Sequence, residues 1–435
     1  MKYLILLNII FLHIWNCIPS DLEYPCDLEN PSFLDTLIAK SIIGETSPHC
    51  GVQIPKPTTE SVPEEAFVCS IQDSFDTIQP GSVQTFFDEL NARASLGSSG
   101  TPTADTTSIV GLFVGAAWAG GVLAPNGKIY GIPFESNSVL IIDPTNNTAD
   151  TSSITGLTGT FKWIGGVLAP NGKIYGIPFN SGIVLIIDPE TNTADTASIT
   201  GLTGFSKWAG GVLAPNGKIY GIPQNSDDVL IIDPTNNTAD RASITGLGVG
   251  GTKWRSGVLA PNGKIYAMPY DSNSVLIIDP ESNTADTASI TDLGVGGTKW
   301  GGAVLAPNGK IYGMPFGADH VLIVDPANNT TDTTSISGLG AGQKWSGGGL
   351  APNGKIYSIP TSSQSVLIVD PESNTADTTS ISGLVGGTKW QGAVLAPNGK
   401  FYGISDNASN AIIVDPKSNS SFCKSTVESS YINKF

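Results

Sequence analysis

The sequence of 435 residues predicts an all-β fold: a seven-bladed β-propeller closed by an N-terminal strand, with a small N-terminal appendage, mainly helical or irregular. Three observations carry that expectation. The stretch W-A-G-G-V-L-A-P-N-G-K-I-Y-G-I-P, Trp118 to Pro133, recurs six more times, opening at Trp163, Trp208, Trp254, Trp300, Trp345 and Trp390. Successive tryptophans stand 45 or 46 residues apart, a period that marks propellers and solenoids. The last copy lacks its own fourth strand, and a matching piece stands before the first Trp. A ring needs that arrangement; a solenoid does not.

Each copy reads as four short strands. The first, typified by Gly120 to Ala124, is small and apolar, and it runs into Pro125-Asn126-Gly127. Asn-Gly between two apolar runs signals a tight hairpin, expected here as a type I′ turn. The second strand is Lys128 to Ile132, stopped by Pro133, which has no N–H to give a ladder. The third, Val139 to Ile142, is continuously apolar, as a strand buried on both faces should be. Asp143-Pro144-Thr145-Asn146-Asn147 makes a turn, with Asn where a left-handed residue is tolerated. The fourth strand is expected from Asp150 to Leu157. Two copies carry one extra residue between that turn and the next Trp, which belongs in a linking loop.

Thr103 to Leu112 matches the fourth strand, so it is expected to pair with Ala411 to Val414 and close the ring. Closure removes exposed sheet edges. The run L-A-P-N-G-K-I-Y-G-I-P followed by S-N-S-V-L-I-I-D-P-T-N-N-T resembles the YVTN class of β-propeller repeats and, more loosely, kelch repeats. The resemblance covers residues 103 to 419. It implies the propeller fold and no particular chemistry, because fold alone does not carry function.

The remaining segments divide as 1–20, 21–100, 101–422 for the propeller, and a tail at 423–435. Met1-Lys2 followed by the apolar Tyr3 to Trp15 has the pattern of a signal peptide, too short for a membrane span, and no other segment is a spanning candidate. Residues 21–100 are acidic and lack the repeat; Ser32 to Ile43 and Ser82 to Ala94 have helical spacing. Cys26, Cys50, Cys69 and Cys423 remain once Cys17 leaves with the signal, an even set that reads as two disulfides in a secreted protein. Asn146, Asn236, Asn328, Asn329, Asn407 and Asn419 are glycosylation sequons that fit the same compartment.

Little in the chain carries catalytic chemistry. Histidine occurs only at positions 13, 49 and 320, so neither a zinc set nor a Ser-His-Asp arrangement is legible, and no catalytic residue, metal or cofactor is expected. Asp143 and Asp150, with their repeats, would suit calcium, or the first shapes its turn and the second starts a strand. Glu135, Asp227, Asp228, Asp271 and Asp319 break the repeat in the loop between strands two and three, where an enzyme would keep its carboxylates and a binder its solvated charge. The net charge of −16 argues against nucleic acid, which needs a basic face.

Two rings of positions are candidate binding elements. Lys162, Lys207, Lys253, Lys299, Lys344 and Lys389 each precede a Trp, with Ala117 in the seventh place. With strand one innermost, they either crown a channel mouth as an anion site or lie along the Trp with the ammonium in water. Phe134, Phe179, Tyr270 and Phe316 begin the least uniform loop of the repeat. They either present aromatic faces to a partner or sugar, or fold back over strand two. The leading expectation is a secreted binding module that offers this variable face to a protein partner. A carbohydrate-binding propeller and a lyase- or lactonase-like propeller enzyme are the alternatives.

Cys423 follows the last blade, where closure brings the chain ends together, so it is expected to bond to one of Cys26, Cys50 and Cys69. A Cys69–Cys423 bridge would close a loop of more than 350 residues. The chain-entropy model assigns roughly 5–6 kcal/mol to such a loop. Peptide mapping without reductant should show Cys423 joined to an N-terminal cysteine peptide; a free Cys423 peptide sinks the assignment.

Overall fold

The structure, a computed structural model, describes residues 100–417. The signal-like segment, both helical-spacing stretches, all the cysteines and Asn419 lie outside those residues. Within them the chain is built of strands and turns with no helix, and the strands form seven four-stranded antiparallel sheets. β1 (Thr103–Asp105) comes first in the chain. Blade one consists of β2 (Trp118–Leu123), β3 (Ile129–Pro133), β4 (Leu140–Asp143) and β5 (Thr148–Asp150). Five more blades repeat that meander. Blade seven ends with β26 (Trp390–Leu395), β27 (Phe401–Ser405) and β28 (Ile412–Asp415), and takes β1 as its fourth strand. Thr103 pairs with Asp415, Ala104 with Val414 and Asp105 with Ile413. The ring closes as its sequence anticipates.

Two local expectations change. The Asn-Gly hairpin is not type I′, because only Gly127 has positive φ (74°) and Asn126 does not. Pro125 is the reason: its ring holds φ near −65°, so Pro125-Asn126 form the turn and the following glycine takes the left-handed position. The Gly127 N–H bonds to the Ala124 carbonyl (3.0 Å) and the Ala124 N–H to the Lys128 carbonyl (2.9 Å). The fourth strand is also shorter, ending at Asp150 instead of starting there. Asp150 Oδ1 accepts the N–H groups of Ser152 (2.6 Å) and Ser153 (3.2 Å), which turns the chain out of the sheet. The Ser153 hydroxyl, with these amides, holds the Asp150 carboxyl down at about 2 despite partial burial. Ile154 and Leu157 then plug the interior without strand geometry.

The core lies between blades. Trp163 of blade two packs with Val122, Tyr130 and Ile132 of blade one and with Ile174 and Leu185 of its own blade. Its Nε1–H donates to the Ile183 carbonyl (2.8 Å), so the indole is buried with its polar atom satisfied. A polar clamp crosses the same joint. The Tyr130 hydroxyl donates to Asn192 Oδ1 (2.8 Å), and Asn126 Nδ2 donates to the Tyr130 oxygen (3.0 Å) and the Pro189 carbonyl (2.9 Å). Asn192 sits at φ 51°, the left-handed position anticipated for the Asp-Pro turn. At the ring joint Tyr402 makes the same bond to Asn147 (2.6 Å).

The meander gives the molecule two unlike faces. The Asn-Gly and Asp-Pro turns form a lower face, where lysine–aspartate pairs such as Lys173–Asp188 (3.1 Å) lie. The Lys-Trp steps, the loops after Pro133 and its repeats, and the linkers between blades form the upper face.

Replacing Tyr220 by Phe removes the hydroxyl that donates to Asn283 Oδ1 (2.9 Å). The expected cost is about 1–2 kcal/mol, seen as a lower denaturant midpoint at unchanged slope. An unaltered midpoint would show that the clamp contributes nothing.

Candidate functional site

The central channel is lined by one ring of repeat positions, and a second ring opens the loops next to it. The residue after each Trp faces the channel; it is small or apolar in four blades (Ala119, Ile164, Ala209, Gly301) and polar in three (Arg255, Ser346, Gln391). The residue fifteen positions later starts the loop after strand two. That second ring holds Phe134, Phe179, Tyr270 and Phe316, and also Gln224, Thr361 and Asp406. In blades four, six and seven the two rings touch within the blade: Arg255 on Tyr270, Thr361 on Ser346, Gln391 on Asp406.

A polar bar crosses the mouth. Arg255 Nη2 donates to Gln391 Oε1 (3.0 Å), linking blade four to blade seven, and Gln391 Nε2 donates to Asp406 Oδ2 (2.9 Å). The guanidinium lies 5.5 Å from the Tyr270 ring centre and 5.9 Å from that of Phe316, stacked by cation–π attraction. Asp406 is 3% exposed. Burial pushes its carboxyl up, opposed by the Gln391 hydrogen bond and the charge of Arg255. Its second oxygen, Oδ1, is buried without a partner, and so is Gln224 Oε1; these are the two such side-chain atoms among the described residues. An unmade bond of this kind costs about 1–3 kcal/mol, and both occur in one ring.

Below the bar a cavity of about 190 Å³ is lined by backbone and small side chains, with Arg255, Ser256, Ser346 and Gln391 as its larger polar groups. Glycine makes it narrow. A Cβ on Gly165 (φ 73°) would lie 3.1 Å from the Cα of Gly210 in the next blade, and one on Gly120 3.3 Å from the Cα of Gly165. Blades meet backbone to backbone there, at the irregular register between Trp118 and Gly121.

The sequence-derived positions fall as follows. Lys162, Lys207, Lys299, Lys344 and Lys389 are buried and Lys253 is half-buried. Lys162 Nζ donates to the Phe134 carbonyl of the preceding blade (3.1 Å) and the Gly159 carbonyl (2.9 Å), 5.8 Å from the centre of the Trp163 ring. Lys207 Nζ reaches three carbonyls, at Phe179, Ser181 and Gly204. Burial lowers both ammonium groups to about 8. The ammonium groups thus turn into the blade joints. Phe134 and Phe179 are half-buried with ring centres 5.9 Å apart, and Phe134 also meets Phe161 at 5.0 Å. Tyr270 and Phe316 are buried against each other at 5.7 Å.

The loop carboxylates are mostly occupied as buttresses. Asp227 Oδ1 accepts from the Gly248 N–H (2.6 Å) and Asp271 Oδ1 from the Thr298 N–H (2.8 Å). Asp228 pairs with Arg241 (2.9 Å) and Asp319 with His320 (2.7 Å). His320 is not among the residues lining the channel. Asp143 likewise spends Oδ1 on the Thr145 N–H (3.0 Å). Asn146, Asn236 and Asn328 are exposed on the lower face, and Asn407 is exposed on the upper. Asn329 is half-buried, its Oδ1 bonded to the Tyr266 hydroxyl (2.7 Å).

Sequence reasoning overlooked Arg255, Gln391, Gln224 and Asp406, though the irregular position after each Trp was a usable signal. It also overlooked an apolar crown. The exposed large hydrophobic residues are Val110, Phe113, Val114, Phe161, Phe205, Val249, Val295 and Val385. All of them lie in the segments leading from a fourth strand to the next Trp, on the upper face. Their signal was a lone Val or Phe in the Gly-rich linkers before Trp163, Trp208, Trp254, Trp300 and Trp390, and Val110, Phe113 and Val114 together before Trp118.

No family model matches the chain, and no curated protein matches it. Solved structures share the fold. A streptogramin B lyase superposes with a TM-score of 0.57 at 10% identity, over 72% of this chain and 97% of that one. Virginiamycin B lyase from Staphylococcus aureus gives 0.56 at 10% identity, over 72% and 99%. The extracellular domain of a hybrid two-component system from B. thetaiotaomicron gives 0.56 at 11% identity, over 74% of this chain and 43% of that one.

Amine acylation tests the lysine arrangement. Lys173 and Lys264, with side chains 42% and 44% exposed, should react readily, and Lys162, Lys207 and Lys389 far more slowly in the folded protein. Equal rates would mean that the ammonium groups stand free at the mouth.

Proposed function

We propose that this chain is a secreted binding module whose upper face docks a protein partner. One observation carries the reading: every exposed large hydrophobic side chain among the described residues is in the linkers between blades on that face. Val249, Val295 and Phe205 are 86%, 83% and 80% exposed. A ring of such residues rimmed by polar loops is the pattern of an interaction surface. The occupant favoured is a protein with an apolar, cation-bearing surface. Glu135, Asp227, Asp271 and Asp319 share the face, and the chain carries a net charge of −16, so an anionic bilayer would be repelled.

The signal-like N-terminus and the sequons support an extracellular setting, and a similar structure is itself described as an extracellular domain. The lyase likeness supports the fold and little more. Virginiamycin B lyase is inactive when a histidine is replaced by alanine. Here the one histidine among the described residues, His320, is bound to Asp319 away from the channel lining.

Photo-crosslinkers placed at Phe205 and Val249 should capture one protein that a probe at Lys173 on the lower face does not. With that partner purified, Phe205→Asp and Val249→Asp should each raise Kd by about tenfold or more at unchanged Tm. Equal affinity of the crown variants, capture only from Lys173, or crown-dependent binding to anionic vesicles instead would overturn the reading.

A further inference from the structure

We propose that the central channel binds one small monocarboxylate, its carboxylate on the Arg255 guanidinium and its apolar part against Ala119, Ile164 and Ala209. The site lies within the ring of first strands, apart from the linkers of the docking face, and does not depend on that reading.

Arg255 is the one charged residue lining the cavity of about 190 Å³, among the described residues. Its side chain is half-buried, so solvent in the channel reaches it. A guanidinium carries five N–H groups. One, on Nη2, goes to Gln391 Oε1, and the others bond to no acceptor among the described residues. Arg255 makes no ion pair among those residues either; Asp406 feels its charge but bonds to Gln391 instead. A permanent cation with unused donors at a cavity wall attracts an anion, and the guanidinium fork matches a carboxylate edge to edge.

Blade four also departs from the repeat at the next residue. Two residues after the Trp the other six blades keep glycine, and this one has Ser256. Ser256 adopts φ 58°, a left-handed conformation taken by glycine at positions 120, 165, 210 and 392. A Cβ disfavours that conformation, and residues held against their preference cluster at ligand sites. Ser256 lines the same cavity, half-buried, and its hydroxyl bonds to no protein group among the described residues. It offers a second donor beside the guanidinium.

The rest of the wall limits the ligand. Three adjacent blades put Ala119, Ile164 and Ala209 at the ring position that Arg255 occupies in blade four. A tetrahedral oxyanion is polar all round and would set oxygens against those apolar side chains. A carboxylate with a short apolar tail suits both parts of the wall. The cavity, about 190 Å³, is smaller than the roughly 300–1,000 Å³ of pockets for drug-sized ligands, so the tail must be short. The net charge of −16 opposes an anion only at close range, because physiological salt screens it beyond about 8 Å.

Saturation-transfer NMR and calorimetry on the full chain test this. The probes are acetate, propionate and butyrate, set against propionamide, propylammonium and inorganic phosphate. At least one carboxylate should bind at one site per chain with Kd near ~1 mM or tighter, and phosphate at least about tenfold more weakly. Arg255→Gln should abolish saturable binding. Because Arg255 also braces blade four to blade seven, Ser256→Gly is the separating variant. It should weaken binding about tenfold and leave Tm unchanged or higher, since glycine suits the left-handed backbone. A serine kept for the fold alone would lower Tm when replaced and spare binding. Phe205→Asp should not change carboxylate affinity, which keeps this test apart from that of the docking face. No carboxylate binding at tens of millimolar, equal or tighter binding of propionamide, propylammonium or phosphate, or a Ser256→Gly variant that binds normally would each overturn the proposal.

Discussion

The structure depends on the contact between neighbouring blades. A single four-stranded sheet of this repeat leaves Tyr, Ile and Val side chains facing outward on both sides, and only the next blade covers them. The Trp at each joint is the largest side chain buried there. Burying an indole of ~150–250 Å² corresponds to roughly 4–6 kcal/mol as an upper bound. Such a chain of nearest-neighbour interfaces has two raw ends unless the last meets the first. Ile109 and Leu112 join Trp118, Val394 and Ile404 in one cluster, so the segment after β1 seals the final joint as well as completing the sheet.

Two constraints at that contact explain why the repeat is so uniform. On the inside, backbones approach within reach of a single Cβ, which demands glycine or a small residue at the channel wall. On the lower face the Tyr–Asn clamp requires an Asn in left-handed conformation and a carbonyl fixed by proline in the adjoining blade. Lysine supplies a third tie on the upper side. Its ammonium reaches backbone carbonyls across the joint, and the cost of burying that charge appears as the lowered pKa of Lys162 and Lys207.

That division of labour determines what was legible in the sequence. The period, the blade count and the closing strand are properties of spacing, and spacing survives without coordinates. The turn chemistry misled because Asn-Gly was read without the proline before it, whose fixed φ selects a different turn. Asp150 misled in the same way, since its side chain caps the following amides and ends the strand it was expected to begin. The mouth was the hardest part to see. Arg255 and Gln391 are 136 residues apart, and nothing local in either stretch announces the other. Only a closed seven-fold ring brings blade four across to blade seven. The aromatic residues of the second ring attracted attention as faces for a ligand, yet Tyr270 and Phe316 are buried beneath Arg255 and serve it as a platform.

Positions that hold the ring cannot vary without loosening it, so chemical individuality is confined to positions the ring does not use. Those are the residue after each Trp, the residue opening the next loop, and the tips of the linkers. All three sets lie on the upper face. The lower face, by contrast, is occupied by its own turns, clamps and lysine–aspartate pairs, which satisfy one another locally. The two unpartnered buried acceptors sharpen the contrast. The polar groups of the scaffold are paired blade after blade, whereas Gln224 and Asp406 stand at a ring position where the same loop geometry tolerates Phe, Tyr or Thr. A fold that required bonds at this position would supply them repeatedly. Their absence here, in two buried side chains at one ring position, marks this position as one the scaffold's repeated bonds do not use.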